Sequence, residues 1–213
     1  MPVRGGSPIP GKERSIRRCL DSKVVFDLGE RLAATAGARD ALRRLLSPLP
    51  PASLDELSEA AAGYFVVWSG ETCYRPGLSQ HGEAVLAGVA LLNLDQLLAQ
   101  ALPVLRTLAA LVDHLLGSPD GRLPAPISRE ALASAAWAEF HRRLLAAYSL
   151  GYADDEAARG SPTEYFAWAF AAYCRDRRQL AATDPLAYRL LHSTVFSQAY
   201  WRGHLLRPAG SRS

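Results

Sequence analysis

The second half of the chain is divided by proline, serine and glycine into segments that have the ends of helices. Pro103 suits the first turn of a helix, and Gly117 suits the position just after its last turn. Ser161-Pro162-Thr163-Glu164 places an N-cap serine before a proline and a glutamate, which predicts a helix from Pro162 to about Arg178. The same punctuation predicts two further helices: one over 128–151 and a last one that opens at Asp184-Pro185. These helices restrict this half of the chain to helical packing.

A small sheet is predicted ahead of these helices. Tyr64 to Trp68 is a run of β-branched and aromatic residues closed by Ser69-Gly70, and Thr72 to Tyr74 fits a returning hairpin strand. Ala84 to Leu92 fits another strand, although its leucines are also compatible with a helix. A weak sheet region followed by four helices predicts an α+β fold that is mostly helical.

The chain of 213 residues is long enough to bury one core without disulfides or metals. Residues 1–22 are rich in proline, glycine and arginine, and we expect them to be a flexible tail. Residues 23–205 are expected to form a single domain, and residues 206–213 a second flexible tail. Ser53 and Glu56 have capping-box spacing and predict a short helix that ends at Gly63.

Charge and cysteine usage exclude several classes of protein. The 24 basic and 21 acidic residues give a net charge of +3, which makes nucleic acid an unlikely partner. The three cysteines lie far apart without a CxxC pair, so the sequence predicts neither a disulfide framework nor a cysteine zinc site. A reducing bacterial cytoplasm is expected. No export signal is visible, and the longest apolar stretch, Ala84 to Leu94, is too short to cross a membrane.

One segment is similar to the active-site helix of a known peptidase family. Residues Arg106 to Gly117, RTLAALVDHLLG, resemble the helix on which zincin peptidases carry the pattern HExGHxxD. In this register Val112 and Asp113 agree with the family. The first histidine falls on Arg106, the catalytic glutamate on Thr107 and the second histidine on Ala110.

A second segment supports the same resemblance. Residues Ser161 to Phe170, SPTEYFAWAF, resemble the EFFAEAF segment of peptidase domains of the anthrax-toxin lethal factor type. The family's third zinc ligand then falls on Glu164, and its second glutamate falls on Trp168. The resemblance implies a zincin-like domain over roughly Leu102 to Leu191, and it makes Tyr152 the nearest candidate for the family's oxyanion-stabilising tyrosine.

The substituted residues remove the chemistry of such a peptidase. A catalytic zinc needs three protein ligands and an open position for water, and histidines one helical turn apart usually supply two of them. Alanine cannot bind a metal, and the permanent charge of arginine repels a divalent cation. Thr107 cannot act as the general base for a bound water. Since no histidine has a second ligand four residues away, we expect no metal, no cofactor and no catalytic residue.

Several of these residues also have simpler interpretations. Glu164 fits a capping box in any helix. Arg106 can extend its guanidinium to solvent from an apolar helix. Asp113 lies near a helix C-terminus, where a carboxylate is mildly unfavourable, so either a partner such as arginine or full solvation is expected.

The leading hypothesis is an inactive zincin-like domain, a pseudo-metallopeptidase that binds a protein or peptide. One alternative is a hydrolase of unfamiliar type with Cys174, His141 or Tyr152 in a role. Another is a nucleic-acid-associated protein that uses its arginine-rich tail, for which binding would weaken steeply with salt. The sequence does not identify the partner or the oligomeric state.

Two structural predictions follow from the zincin register. The helices that carry Arg106 and Glu164 should pack side by side, with the small sheet covering one side. Arg106 should also face Glu164 and replace the zinc electrostatically, because a guanidinium can meet a carboxylate with two hydrogen bonds.

Overall fold

The computed structural model describes residues 10–28, 34–116, 126, 128 and 135–205. Within these residues the chain is a mixed α+β fold, mostly helical, with a small sheet, which confirms the predicted fold class. The strands of the described residues are β1 (Val24–Asp27), β2 (Tyr64–Trp68), β3 (Cys73–His81) and β4 (Ala84–Asn93). The α-helices are α1 (Pro10–Lys23), α2 (Thr35–Leu46), α3 (Pro51–Glu59), α4 (Leu94–Leu98), α5 (Leu102–Leu116), α6 (Ala135–Ser149), α7 (Pro162–Thr183), α8 (Pro185–Ser193) and α9 (Gln198–Leu205).

The strands form one sheet in the order β1-β2-β4-β3. β1, β2 and β4 are parallel, and β3 is antiparallel to β4 at one edge. The predicted strand β2 has the bounds that its composition indicated, and β4 resolves the ambiguity at Ala84 in favour of a strand. β3 does not return beside β2 as predicted, because it pairs with β4 through a turn at Gly82, whose φ is 60°.

β2 and β4 are apolar along their lengths because both faces of the sheet are covered. Phe65 and Ala90 belong to the main core, whereas Val66, Val89 and Leu91 form a second cluster on the other face. Strands buried on both faces lose the alternation of polar and apolar residues. This explains the continuous run Tyr64 to Trp68.

The predicted tail over residues 1–22 is wrong for residues 10–22, which belong to α1. The proline, glycine and arginine content hid an apolar stripe at helical spacing, in which Ile16, Cys19 and Leu20 are buried. α1 packs against α3 and leads directly into β1. The remainder of the predicted N-terminal tail, and the predicted tail over 206–213, lie outside the described residues.

The predicted capping role of Ser53 is also wrong. The helix α3 begins at Pro51, with Pro50 as its N-cap, so Ser53 lies inside the first turn. Its hydroxyl is buried and donates to the Pro50 carbonyl oxygen at 2.8 Å instead of capping the helix. Two prolines at the start of the helix supply the required backbone angle without a side-chain cap.

Several ends of the C-terminal helices lie at the residues that the sequence predicted. α7 begins at Pro162, and Ser161 Oγ accepts the amide of Glu164 at 3.2 Å. Gly151, after α6, has a φ of 66°, the left-handed conformation that ends many helices. α7 bends at Asp176, whose φ of −152° and ψ of 90° are not helical. A helix not anticipated from the sequence, α9, follows the one that opens at Pro185.

Candidate functional site

A small pocket lies between α5 and α7, and we call it the α5–α7 pocket. It has a volume of about 150 Å³. Its lining residues are Tyr74, Arg106, Thr107, Ala110, Asp113, Thr163, Glu164, Phe166 and Ala167. α5 packs against α7 and also against β3 and β4, so the prediction that the two helices lie side by side under the sheet is confirmed.

Five of the predicted site positions meet in this pocket. Arg106, Thr107, Ala110 and Asp113 follow one another at spacings of one, three and three residues, which places them along one side of α5. Glu164 enters from the first turn of α7. Two helices therefore present their predicted residues to one space.

The predicted Arg106–Glu164 ion pair is wrong. The Arg106 guanidinium instead donates to the carboxylate of Asp155, in the loop that precedes α7. The side chains of both partners are largely buried, with 25% and 27% of their areas exposed. Glu164 is exposed, so it loses little by remaining in water.

The loop holds the Asp155 carboxylate in its charged form. Desolvation raises the pKa of Asp155, but hydrogen bonds from Arg106 and from the backbone amides of Ala158 and Ala157 outweigh it and leave that pKa below its usual value. Asp155 Oδ1 accepts the two amides at 3.3 and 2.9 Å, respectively. The same carboxylate thus caps a short 3₁₀ turn and neutralises Arg106.

Asp113 is buried and bound to another part of the chain. Only 1% of its surface is exposed. Its two oxygens accept the backbone amide of Ser128 at 2.9 Å and the Ser128 hydroxyl at 2.5 Å. Ser128 Oγ also lies 2.9 Å from Thr163 Oγ1 on α7. Asp113 is therefore not solvated, because Ser128 donates to both of its oxygens and links α5 to α7.

Sequence analysis missed two residues of the site, Asp155 and Tyr74. Tyr74 lines the pocket from β3, and its ring lies 4.8 Å from that of His114. Burial and then the charge of Asp113 raise the pKa of Tyr74 well above its usual value. Its Oη and the Nε of Arg106 are buried without a hydrogen-bond partner among the described residues. No local pattern marks either residue, since both arrive from outside the two matching helices.

Trp168 lines a different and larger cavity, which we call the Trp168 groove. Its volume is about 650 Å³. Its lining residues are Leu102, Asp154, Asp155, Trp168, Ala172, Arg175, Asp176, Gln179, Leu180 and Thr183. The indole donates to Asp154 Oδ1 at 3.1 Å and stacks on Tyr165 with a centroid separation of 5.7 Å. The Arg106–Asp155 pair connects the groove to the α5–α7 pocket, because each cavity contains one partner.

Tyr152 does not reach the site. Half of its surface is exposed, and it lines neither cavity. The Cys174 thiol is also unsuited to nucleophilic catalysis, because burial raises its pKa to about 12 and keeps it protonated at neutral pH. These two residues therefore give no support to an unfamiliar hydrolase.

The described residues contain no group of three or more His, Cys, Asp or Glu side chains that could hold a metal ion. None of the helices in that part of the chain is both long and apolar enough to cross a membrane. The pocket offers one guanidinium, two carboxylates, a phenol and two threonine hydroxyls. This set can form hydrogen bonds, but it resembles no nucleophile and base pair.

Comparisons with known proteins add no information about this site. No protein-family model, curated protein sequence or solved structure matches the chain. Any function must therefore be argued from the contacts of the chain itself.

Proposed function

We propose that this protein is an inactive zincin-like domain that binds a protein or peptide in the cytoplasm. The observation that carries the proposal is the convergence of Arg106, Thr107, Ala110, Asp113 and Glu164 in one pocket of about 150 Å³. These residues come from two segments, 106–117 and 161–170, that are far apart in the sequence and that each resemble a zincin segment. The likeness to zincin peptidases remains a resemblance of residues and placement.

The pocket chemistry supports a domain without peptidase activity. In the zincin register Arg106 falls at the position of the first zinc ligand, where its fixed charge would oppose a cation. Ala110 has no donor atom for a metal, and Thr107 has no basic group near neutral pH. The Arg106–Asp155 pair places opposite charges at this position and satisfies them without a metal.

Strand β3 supports peptide binding beside the pocket. It lies at one end of the sheet, and among the described residues no strand pairs with its outer edge. Most of its residues are exposed, including Leu78, with 78% of its surface exposed. An extended peptide can add to such an edge through main-chain hydrogen bonds. Since Tyr74 belongs to β3 and lines the pocket, a peptide on this edge would pass close to it.

Rebuilding the metal site tests the zincin register. The triple variant Arg106→His, Thr107→Glu, Ala110→His places two histidines one turn apart opposite Glu164. We expect it to bind one zinc per chain, whereas the parent protein purified without chelator should bind none. Metal content by mass spectrometry and a zinc titration measure both.

A matched control isolates the third ligand. Adding Glu164→Gln to the triple variant should weaken zinc binding by at least about tenfold, because the loss of even an outer-shell partner often costs that much. A triple variant that folds and binds no zinc would contradict the register. Stoichiometric zinc in the parent protein, together with cleavage of a peptide library, would contradict the inactive domain.

Peptide binding is tested separately. We expect a displayed peptide library to yield binders that lose affinity when alternate backbone nitrogens are methylated, since methylation removes main-chain donors. The control is the same peptide methylated at the intervening nitrogens, which face away from the strand. Equal losses from both methylation patterns would show that the peptides do not bind as an added strand.

A further inference from the structure

A third cavity lies between α6 and α8, away from the proposed peptide site. Arg142, Arg143 and Arg189 surround it, and Ala146 and Leu186 complete its lining. Its volume is about 280 Å³, and it shares no lining residue with the α5–α7 pocket or the Trp168 groove. We call it the arginine pocket.

The arginine pocket carries positive charge that its own helices do not neutralise. Between them, α6 and α8 contain one acidic residue, Glu139, against these three arginines. Glu139 is taken by Arg142, whose Nε and Nη2 donate to its two oxygens at 2.9 and 2.7 Å. The formal charge of this patch is +2, compared with +3 for the entire chain.

The other two guanidinium groups are held by neutral acceptors. Arg143 Nη2 lies 3.3 Å from Ser193 Oγ, and Arg189 Nε donates to the Pro185 carbonyl oxygen at 3.1 Å. In the part of the chain that the structure describes, neither side chain forms an ion pair. These contacts orient each group and leave its other N–H donors available. Because the two side chains are already oriented, less side-chain entropy is lost when a ligand binds.

The geometry points to a phosphomonoester as the ligand of the arginine pocket, and we propose it as a binding site for that group. A planar guanidinium can donate two parallel hydrogen bonds to phosphate oxygens, and two such groups match a dianion. Leu186 and Ala146 offer an apolar surface to the carbon atoms that carry the phosphate. Phosphate recognition by clustered arginines is a recurrent mode of binding.

The small extent of the charged patch favours a single phosphate group over a nucleic-acid backbone. Nucleic-acid surfaces extend positive charge along a stripe or face that contacts many phosphates. Here the three arginines border one open surface cavity of about 280 Å³, and the chain has little net charge besides. The site is therefore assigned to one phosphate on a small molecule or on a phosphorylated side chain.

Binding of the N-acetyl methylamide of phosphoserine to the full chain tests this proposal. Nuclear magnetic resonance titration should shift the amides of Ala146 and Leu186, and the unphosphorylated serine probe should leave them unchanged. Arg143→Met and Arg189→Met should each weaken binding about tenfold, since each removes a charged hydrogen-bond donor. Arg143→Lys, which keeps the charge and loses the fork, should fall between. Arg44→Met, at an exposed arginine of α2, is the matched control and should bind as the parent does.

The outcomes separate the possible ligands. Equal binding of free inorganic phosphate and phosphoserine probe would support a free phosphate as the source, whereas tighter binding of the probe would support a phosphorylated carrier. Unchanged binding in Arg143→Met and Arg189→Met, or an equal loss in Arg44→Met, would overturn the site. A single-stranded oligonucleotide that binds tighter than either probe and competes with both would also overturn it, in favour of nucleic acid.

Discussion

Two buried polar regions of this molecule differ in whether hydrogen bonds compensate the burial of their ionisable groups. At the α5–α7 seam, Asp113 is almost fully buried and accepts two hydrogen bonds from Ser128. On α3, burial and then the like charge of Glu59 raise the pKa of Glu56 to about 7. Burial likewise lowers the pKa of Lys23, whose ammonium donates to carbonyl oxygens of the segment after α3. In the first region a distant segment supplies donors to Asp113, whereas the second region contains groups that burial pushes towards neutrality.

The difference shows that position on a helix does not decide the state of a buried carboxylate. Asp113 is supplied with donors by a distant segment, which compensate the loss of water. For Glu56, the charge that acts on it has the same sign as its own. Glu56 should therefore titrate near neutrality, whereas Asp113 has a structural role.

The largest expected effect is the removal of Asp113. Asp113→Ala leaves the Ser128 amide and hydroxyl without their acceptor in a buried site, so we expect a loss of about 4 kcal/mol in the free energy of unfolding. Urea denaturation at pH 7 measures it. Ser128→Ala removes the hydroxyl that contacts Asp113 and Thr163 but keeps the backbone donor to Asp113, so it should cost less than half as much. A loss below about 1 kcal/mol for Asp113→Ala would remove the contrast between the two regions.

The second effect has the opposite sign. A carboxyl whose folded pKa is raised stabilises the fold below its unfolded pKa of 4.5, and this contribution is lost as the pH rises through about 7. Glu56→Gln keeps the shape of the neutral form and removes the buried charge. We expect it to stabilise the protein by about 2 kcal/mol at pH 8, after allowance for partial exposure, and by almost nothing at pH 4.5. Thermal unfolding at both pH values checks the prediction, and equal effects at both would contradict it.

A smaller effect is expected at the ion pair between the two cavities. Arg106 and Asp155 are about a quarter exposed, so Arg106→Ala should cost about 1.5 kcal/mol, between the values for surface and buried pairs. Because the folded pKa of Asp155 is lowered, its contribution is present above the unfolded value of 3.8 and is lost as the pH falls through the folded pKa. The cost of Arg106→Ala should therefore shrink in that acidic range. A double-mutant cycle with Asp155→Ala isolates the pair, and a coupling energy of zero would show that the contact is not stabilising.

The smallest effect is expected at Glu164. Its carboxylate is exposed, since Arg106 pairs with Asp155 instead, whereas its backbone amide is capped by Ser161. Glu164→Ala should change the free energy of unfolding by less than about 0.5 kcal/mol. Ser161→Ala, which removes the cap, should cost about 1 kcal/mol in the same denaturation experiment. A larger loss for Glu164→Ala than for Ser161→Ala would restore a structural role for the carboxylate.

The sequence predicted the features that depend on neighbouring residues. Ser161-Pro162 and Gly151 mark helix ends by their own backbone preferences, and Tyr64 to Trp68 favours a strand by composition. The meeting of the Arg106 and Glu164 helices also followed, because the resemblance supplied the long-range contact. Composition misled at α1, where Ile16, Cys19 and Leu20 are too few to stand out among arginines and glycines.

The contacts that define the site could not be predicted locally. Arg106 had three acidic loop residues, Asp154, Asp155 and Glu156, and also Glu164 as possible partners. The folded loop presents Asp155, which is 49 residues away in sequence. Tyr74 reaches the pocket only because β3 lies at the edge of the sheet beside β4. A single sequence carries no direct signal for such pairs.

The bonds of Ser128 also bear on the order in which the chain folds. This one hydroxyl joins Asp113 and Thr163, which lie 15 and 35 residues from it along the chain. Contacts of this separation require two loops to close before they form, so they belong to the late side of the folding barrier. Mutations in the network should therefore accelerate unfolding and leave the refolding rate nearly unchanged. The hydrogen bonds of Ser128, which join the two main helices of the site, would then determine how long the native state persists before it unfolds.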